Sequence, residues 1–397
     1  MQHPSKHWDN ISQVRPEILE AISVINFDSL CHIASELRKK PCKVNRSKCT
    51  YGGVNILFEL EFDDLFWIAR IRRPDESYPA DGTDLILESE VATMRFLRDN
   101  TSIPVPAVYS FDSRFGASND VGMPYILMEA MSGKRLYGGG RTDFIPDPYK
   151  PKVYRQIVDF ILQLYNLPFA EIGMLFFDDN SACGVRIAEI HDQNYRIPPY
   201  GPFTDSLEFY QTRCKLLSEY YRSKQSGQGL PSISSSIMDD EMPVALEALV
   251  DKRTVKGPFH LAHPDFQINN FLFDDEYTIT ALVDWSGCQT LPLESFARHP
   301  AKIIPDPDEF LDFWGDLLSP EMRHHWTMRR DMFLELIQER VGSTSELYEM
   351  MLSRRAYFAN CLDFDGILGI RRWLPRKHFE RFVEDLKGME CATGSER

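Results

Sequence analysis

Long apolar runs are missing from this chain. None of its 397 residues lies in a stretch approaching the ~18 consecutive apolar positions that a bilayer-spanning helix needs. The opening residues, Met-Gln-His-Pro-Ser-Lys-His-Trp-Asp-Asn, set no apolar segment behind their charges, so no secretory signal is read there. A basic excess is missing too. Lys and Arg number 44 against 59 Asp and Glu, a net charge of −15. That balance argues against a nucleic-acid partner, whose affinity comes largely from neutralising phosphates. The eight cysteines, at positions 31, 42, 49, 183, 214, 288, 361 and 391, never fall in a C-x-x-C pair. This excludes a disulfide scaffold and the usual zinc spacings. The expectation is a reduced cytoplasmic protein without membrane or nucleic-acid partners, its oligomeric state left open. No internal repeat or long low-complexity stretch occurs. What remains is 43% hydrophobic and 26% charged residues, the balance of a globular protein with chain enough for two or three compact units.

Residues 1–40 read as a mostly helical extension, its best segment running from Asp28 to Lys40, with apolar positions at 30, 33, 34 and 37 in helical spacing. The pattern then changes. Cys42 to Cys49 and Val54 to Phe62 read as strands around Thr50-Tyr51-Gly52-Gly53, and Leu65 to Ile71 as a third. Leu85 to Arg98 is helical, followed by strands at Val105 to Phe111 and Tyr125 to Ala130. Beyond the Met131-Ser132-Gly133 seam, helices are read at Tyr149 to Leu167, Thr204 to Tyr221 and Pro243 to Asp251. Residues 223–236, rich in Ser, Gly and Gln, read as a loop. Phe271 to Phe273 and Thr278 to Asp284 form a hairpin across Asp275-Glu276. After Leu293 the chain reads as helix, with aromatic anchors Phe310, Phe313, Trp314, Trp326, Phe333, Tyr357, Phe358, Trp373 and Phe379. A three-to-five-stranded sheet carrying one helix, then a larger helical part, is the expected α+β architecture.

The most informative stretch is His263-Pro264-Asp265-Phe266-Gln267-Ile268-Asn269-Asn270, followed by Val283-Asp284-Trp285. Asp265, Asn270 and Asp284 are short oxygen-bearing side chains of the kind a hard cation such as Mg²⁺ prefers. The intervening hairpin returns Asp284 toward the 265–270 loop. One carboxylate is then available to an acceptor hydroxyl, while the other, with the amide, holds metal on a polyphosphate. Phosphoryl transfer needs that division of labour, because positioning and charge neutralisation supply most of its catalysis.

This H-x-D-x-x-x-x-N run with its hydrophobic-Asp-Trp strand end resembles the aminoglycoside phosphotransferase (APH) family, small-molecule kinases related to choline and homoserine kinases. The resemblance covers roughly residues 45–300. It implies a protein-kinase-like two-lobe α+β fold: a small antiparallel-sheet N-lobe over 41–131 with one helix, and a larger, mainly helical C-lobe over 132–397. It also implies ATP and Mg²⁺ as cofactors, Asp265 as the catalytic aspartate, Asn270 and Asp284 as metal ligands, and His263 as a structural histidine. Pro264 departs from the family's His-Gly-Asp; proline fixes φ and removes a donor.

The nucleotide site should come from the first part. Gly52, Gly53 and Asn55 lie between two strands, where backbone N–H groups could meet phosphates unobstructed by Cβ atoms; an ordinary hairpin turn accounts for two glycines equally well. Trp67-Ile68-Ala69-Arg70-Ile71 has the character of the Val-Ala-x-Lys strand of kinases, and the arginine keeps a permanent charge and a bidentate phosphate geometry. Strand alternation sets Arg70 and Arg72 on one face. The resemblance favours Glu90 over Glu88 as the partner of Arg70, and the strand entering Glu129, Ala130 and Met131 as the lobe hinge. Backbone groups of Glu129 and Met131 would hold the adenine, with Met128 lining its pocket. The acceptor is expected to be a small-molecule hydroxyl compound, sought between the 265–270 loop and the helices containing Asp306, Asp308, Asp312 and Trp314. A nucleotide-binding pseudokinase that serves as an interaction module is the alternative.

Overall fold

In the computed structural model, β5 (Phe66–Arg72) is the strand that organises the first of two units. The structure describes residues 3–73, 83–136, 145–192, 197–225, 242–300, 303–304 and 319–356, with positions 359 and 384. The first unit comprises Met1–Arg135, Phe176–Arg186 and Asn270–Ser286; the second comprises Leu136–Leu175, Ile187–Asn269 and Gly287–Arg397. A boundary at 131 alone would leave Asn270 to Ser286 with the second unit, but these residues pack with the first.

The first unit is built on one sheet of seven strands. Their order is β1 (Asp9–Asn10), β3 (Lys48–Tyr51), β4 (Asn55–Glu61), β5, β7 (Tyr125–Glu129) and β6 (Val108–Asp112), with β2 (Lys43–Val44) also paired to β4. Neighbouring strands run antiparallel, with Leu57 opposite Arg70 and Arg70 opposite Ile126. β5 is buried on both faces, for a reason visible in its alternation. Trp67, Ala69 and Ile71 join Ile56, Phe58 and Leu60 in a core with Ile18 of α1 (Pro16–Ser23) and Leu30 and Ala34 of α2 (Phe27–Arg38). Phe27 meets Phe58 edge-on, ring centroids 4.9 Å apart. The described part of the first 40 residues therefore contributes side chains from Val14 to Ala34 to this unit's core. The alternate face of β5 carries Ile68, Arg70 and Arg72, which pair or pack away from that core. Burial of so many apolar side chains, each worth about 1.5–3 kcal/mol, makes the double-sided sheet self-consistent.

Helix α3 (Leu85–Asn100) begins at Asp84, whose side chain accepts from the Leu87 N–H at 3.0 Å. That cap satisfies one of the four orphan donors of the first turn.

The second unit is mainly helical: α4 (Lys150–Tyr165), α5 (Ser206–Gln225), α6 (Met242–Leu249), α7 (Leu293–Phe296), α8 (Pro320–Val341) and α9 (Glu346–Leu352). Three short strands that periodicity did not reveal, β8 (Pro168–Phe169), β11 (Phe259–Ala262) and β14 (Gln289–Leu291), form a sheet in the order β14-β11-β8. All four β11 residues are buried, and a fully buried strand of four loses the alternation that marks a half-exposed one. A further ribbon joins β9 (Met174–Phe177) and β10 (Val185–Ala188), of which Phe176–Arg186 counts with the first unit. Trp326 and Phe333 are buried on α8. The other expected aromatic anchors, Asp306, Asp308, Asp312 and most of the 223–236 loop lie outside the described residues. No single described helix is long and apolar enough to cross a membrane.

Candidate active site

The hairpin of β12 (Phe271–Phe273) and β13 (Ile279–Leu282) sets Asn270 and Asp284 at one end of the first unit's ribbon. Phe271 stands opposite Leu282, and the Val283 N–H donates to the Asn270 carbonyl at 2.9 Å. Trp285 is fully buried, its indole N–H donating to the Leu282 carbonyl at 2.9 Å. This anchors the strand end just beyond Asp284. Asp284 has φ of +66°, a left-handed conformation uncommon for a residue with a Cβ. The backbone departs from the strand there, and the Asp284 side chain stays 48% exposed.

That carboxylate meets Arg70. Nη2 of Arg70 donates to Asp284 Oδ1 at 2.9 Å, while Nη1 contacts Glu90 Oε2 on α3. The planar guanidinium thus forks between two carboxylates from two elements, a geometry that a lysine ammonium reproduces poorly. Arg70 and Glu90 are both buried. Desolvation pulls the Arg70 pKa down, but Glu90 and then Asp284 outweigh it and hold the group above the ordinary arginine value. Asn55, with its amide oxygen turned inward, accepts from Arg70 Nη2 at 2.6 Å and Nε at 3.1 Å. Its orientation is the one its hydrogen bonds select.

Arg72, on the same face, pairs at 3.0 Å with Asp84, the cap of α3. It fastens the helix that presents Glu90. Glu88 instead accepts from the Ser113 hydroxyl at 2.6 Å. The structure therefore brings Arg70 together with Glu90, as expected, and adds Asn55 and Asp284 to the same cluster. The role of Asp84 was not anticipated, although an Asp immediately before a helical stretch is a recognisable capping signal.

Gly52 and Gly53 form the exposed turn between β3 and β4. A Cβ at either would meet nothing within 4 Å, so the unit's own packing does not demand glycine there. The Arg73 side chain donates to the Gly53 carbonyl. At the end of β7, the Glu129 N–H donates to the Ala107 carbonyl at 2.8 Å, and its side chain accepts from the Ala107 N–H at 3.1 Å and Arg98 at 3.2 Å. The Glu129 amide is thus engaged within the protein. Met131, just past the strand, makes no backbone hydrogen bond among the described residues. Met128 is a buried residue of β7.

Asp265 belongs to the second unit, on the turn that leaves β11. Its N–H donates to His263 Nδ1 at 3.1 Å, and buried His263 thereby acts as the structural histidine of the turn. The Gln267 N–H donates to the Asp265 carbonyl at 2.8 Å, and the Gln267 side-chain amide donates to Asp265 Oδ1. Gln267 was not singled out in the sequence. Asp265 lines a cavity of about 40 Å³ with Phe266, Gln267, Ile161, Leu164 and Phe296.

The sequence matches the phosphotransferase enzyme family (APH) over residues 58–294, more than half of the chain. The chain belongs to the APH family. Its α+β, protein-kinase-like fold goes with that membership. Among curated relatives, "Altered inheritance of mitochondria protein 9, mitochondrial" of Zygosaccharomyces rouxii is 35% identical over 97 residues, 23% of this chain and 15% of that protein. "Clavilactone A biosynthesis cluster protein Y" of Ampulloclitocybe clavipes is 22% identical over 319 residues, 76% of this chain and 72% of that protein. A solved thermostable mutant of aminoglycoside phosphotransferase APH(4)-Ia, with ADP and hygromycin B, superposes with a TM-score of 0.47 at 15% identity, covering 90% of this chain and 98% of that one. The APH match takes in Arg70, Glu90, Asp265, Asn270 and Asp284 alike.

Proposed function

We propose that this chain transfers the γ-phosphoryl group of ATP to a hydroxyl of a small molecule. The observation that carries the reading is the Arg70 cluster. One buried guanidinium touches the α3 carboxylate Glu90 and the hairpin carboxylate Asp284, so cation and metal-type ligand stand side by side in one unit. A phosphate chain lying over them would meet a positive charge and, next to it, oxygen ligands.

Asn270 and Asp284 fit Mg²⁺ by their donor chemistry. They supply one amide and one partly exposed carboxylate. Among the described residues no group of three His, Cys, Asp or Glu side chains could hold a metal ion unaided. A two-residue oxygen set suits an ion that takes its remaining ligands from water and nucleotide phosphates. Bound there, Mg²⁺ would supply charge neutralisation on the β and γ phosphates. Arg70, held by Glu90, would anchor the phosphates. Its present bond to Asp284 would yield to the metal as nucleotide binds.

Asp265 would orient the acceptor hydroxyl and take its proton, with Gln267 fixing one carboxylate oxygen so that the other faces the acceptor. The chain beyond Asp284 favours a small acceptor. Trp285 is buried at once, β14 starts at Gln289 and α7 at Leu293, leaving no long segment on which a peptide could lie. Family membership supports the same reaction class.

Calorimetric titration of ATP with and without Mg²⁺ tests the metal assignment. Mg²⁺ should tighten ATP binding in the parent and lose that effect in Asp284→Ala. An equal Mg²⁺ effect in both proteins would refute it.

A further inference from the structure

At position 264 the turn before Asp265 has a carbonyl but no N–H, because proline supplies none. The carbonyls of His263 and Pro264 are two successive acceptors on this turn. Arg298, two residues past α7, reaches both: its Nη2 donates to the His263 oxygen at 2.7 Å and to the Pro264 oxygen at 3.1 Å. The two hydrogens of one Nη2 diverge in the guanidinium plane, which matches two carbonyls on consecutive peptides. Arg298 is half-buried and lines the same cavity as Asp265. All of these residues lie in the second unit.

We propose that Arg298 is a positioning residue for Asp265. Holding the two peptide planes that precede Asp265 fixes the direction in which its Cα–Cβ bond leaves the turn. Within the turn itself, the Asp265 N–H is held on His263 Nδ1 and Asp265 takes both donors of Gln267. Arg298 thus ties the turn to the segment after α7. A charge-assisted donor is also stronger than a neutral one, which suits a turn that must keep its shape while an acceptor enters and leaves. The inference rests on the reading of Asp265 as the group that meets the acceptor.

The test uses the full chain with ATP and Mg²⁺ and reads phosphate release to water, together with amide hydrogen exchange over residues 263–267. Arg298→Ala should lower kcat roughly 10²-fold, the scale of loss for a small misplacement of a reacting group, with the KM for ATP unchanged. The amides of Asp265, Phe266 and Gln267 should exchange faster, and millimolar guanidinium should restore part of both properties. Arg298→Lys, which keeps a cation and guards against a variant that fails to fold, should fall between parent and alanine. Parental exchange rates in Arg298→Ala, or a kcat loss that neither guanidinium nor lysine relieves, would overturn the proposal. If exchange responds as expected while parent and variant alike neither release phosphate nor phosphorylate any member of a panel of hydroxyl compounds, the positioning stands and the phosphotransfer reading fails.

Discussion

Arg70 and Arg72 of the first unit each end against carboxylates, whereas two buried titratable groups of the second unit, Glu294 and His260, end against neutral ones. Arg70 reaches Glu90 and Asp284, and Arg72 reaches Asp84. Glu294 accepts from the Asp251 N–H at 2.6 Å, and burial pushes its carboxyl up to about 7. His260 stacks on Tyr165 at 4.6 Å and tilts against Phe296 at 5.1 Å, and burial takes its imidazole down to about 4. The first unit therefore sets its buried arginines against carboxylates where phosphates are proposed to bind, although burial still raises the Glu90 carboxyl above its ordinary value. The second buries groups that prefer to be neutral around the strand that delivers Asp265. Buried groups with shifted pKa values and no charged partner make stability pH-dependent.

Breaking the first unit's pairing should have the largest effect. Arg70→Met leaves Glu90 buried without its cation, and removing one partner of a buried pair typically costs about 3–5 kcal/mol. Urea unfolding should show a loss of that order, and a variant as stable as the parent would mean the pair contributes nothing. Arg70→Lys should recover only part of it, since one ammonium cannot fork to both carboxylates as the guanidinium does.

The second unit should instead respond to pH. Glu294 binds its proton more tightly folded than unfolded, its ordinary value being 4.5. Its contribution is therefore complete below pH 4.5 and is lost as pH rises through about 7, a change of up to about 3 kcal/mol. His260, lowered from 6.5, acts in the opposite sense: its contribution holds above 6.5 and is lost as pH falls through about 4. Glu294→Gln should flatten the decline in Tm between pH 5 and 7 without altering the acid side. An unchanged pH profile would show that Glu294 does not titrate in that range.

The smallest expected effect on folding is at the glycine turn. Neither Gly52 nor Gly53 has a positive φ, and added Cβ atoms meet nothing. Gly52→Ala should change stability by less than about 1 kcal/mol, in the stabilising direction. A fall in ATP affinity at that unchanged stability would separate a phosphate-facing turn from an ordinary hairpin.

Much of the first unit was legible because its strands are half-patterned and its charged residues stand out. Arg70 in an apolar strand and Glu90 before Val91-Ala92 are costly unless paired, so the sequence itself points to their meeting. The hairpin carrying Asn270 and Asp284 was legible from the Asp275-Glu276 turn between two apolar segments. Other features left no local signal. β11 is buried throughout and too short for a period to show. α1 and α2 pack onto the sheet through Ile18 and Leu30, a tertiary choice that amphipathic spacing alone does not locate. The engagement of the Glu129 amide by Ala107 depends on the bulged β6–β7 pairing, and the Arg298 bonds join residues 34 and 35 positions apart. Contacts of that range are visible only once the chain is folded.

The central claim is that Asp265 acts on the acceptor while the Arg70 and Asp284 cluster holds the nucleotide. Asp265→Asn keeps size and hydrogen-bonding capacity while removing the base, whose positioned proton transfer is worth about 10²–10⁴-fold. The direct measurement compares this variant with the parent for turnover of Mg²⁺-ATP with an acceptor drawn from a panel of hydroxyl compounds, and for ATP affinity by calorimetry. The account predicts that turnover falls by that factor while ATP affinity stays at the parental value. Parental turnover in Asp265→Asn, or a parent that binds Mg²⁺-ATP and transfers phosphate to nothing, would contradict it.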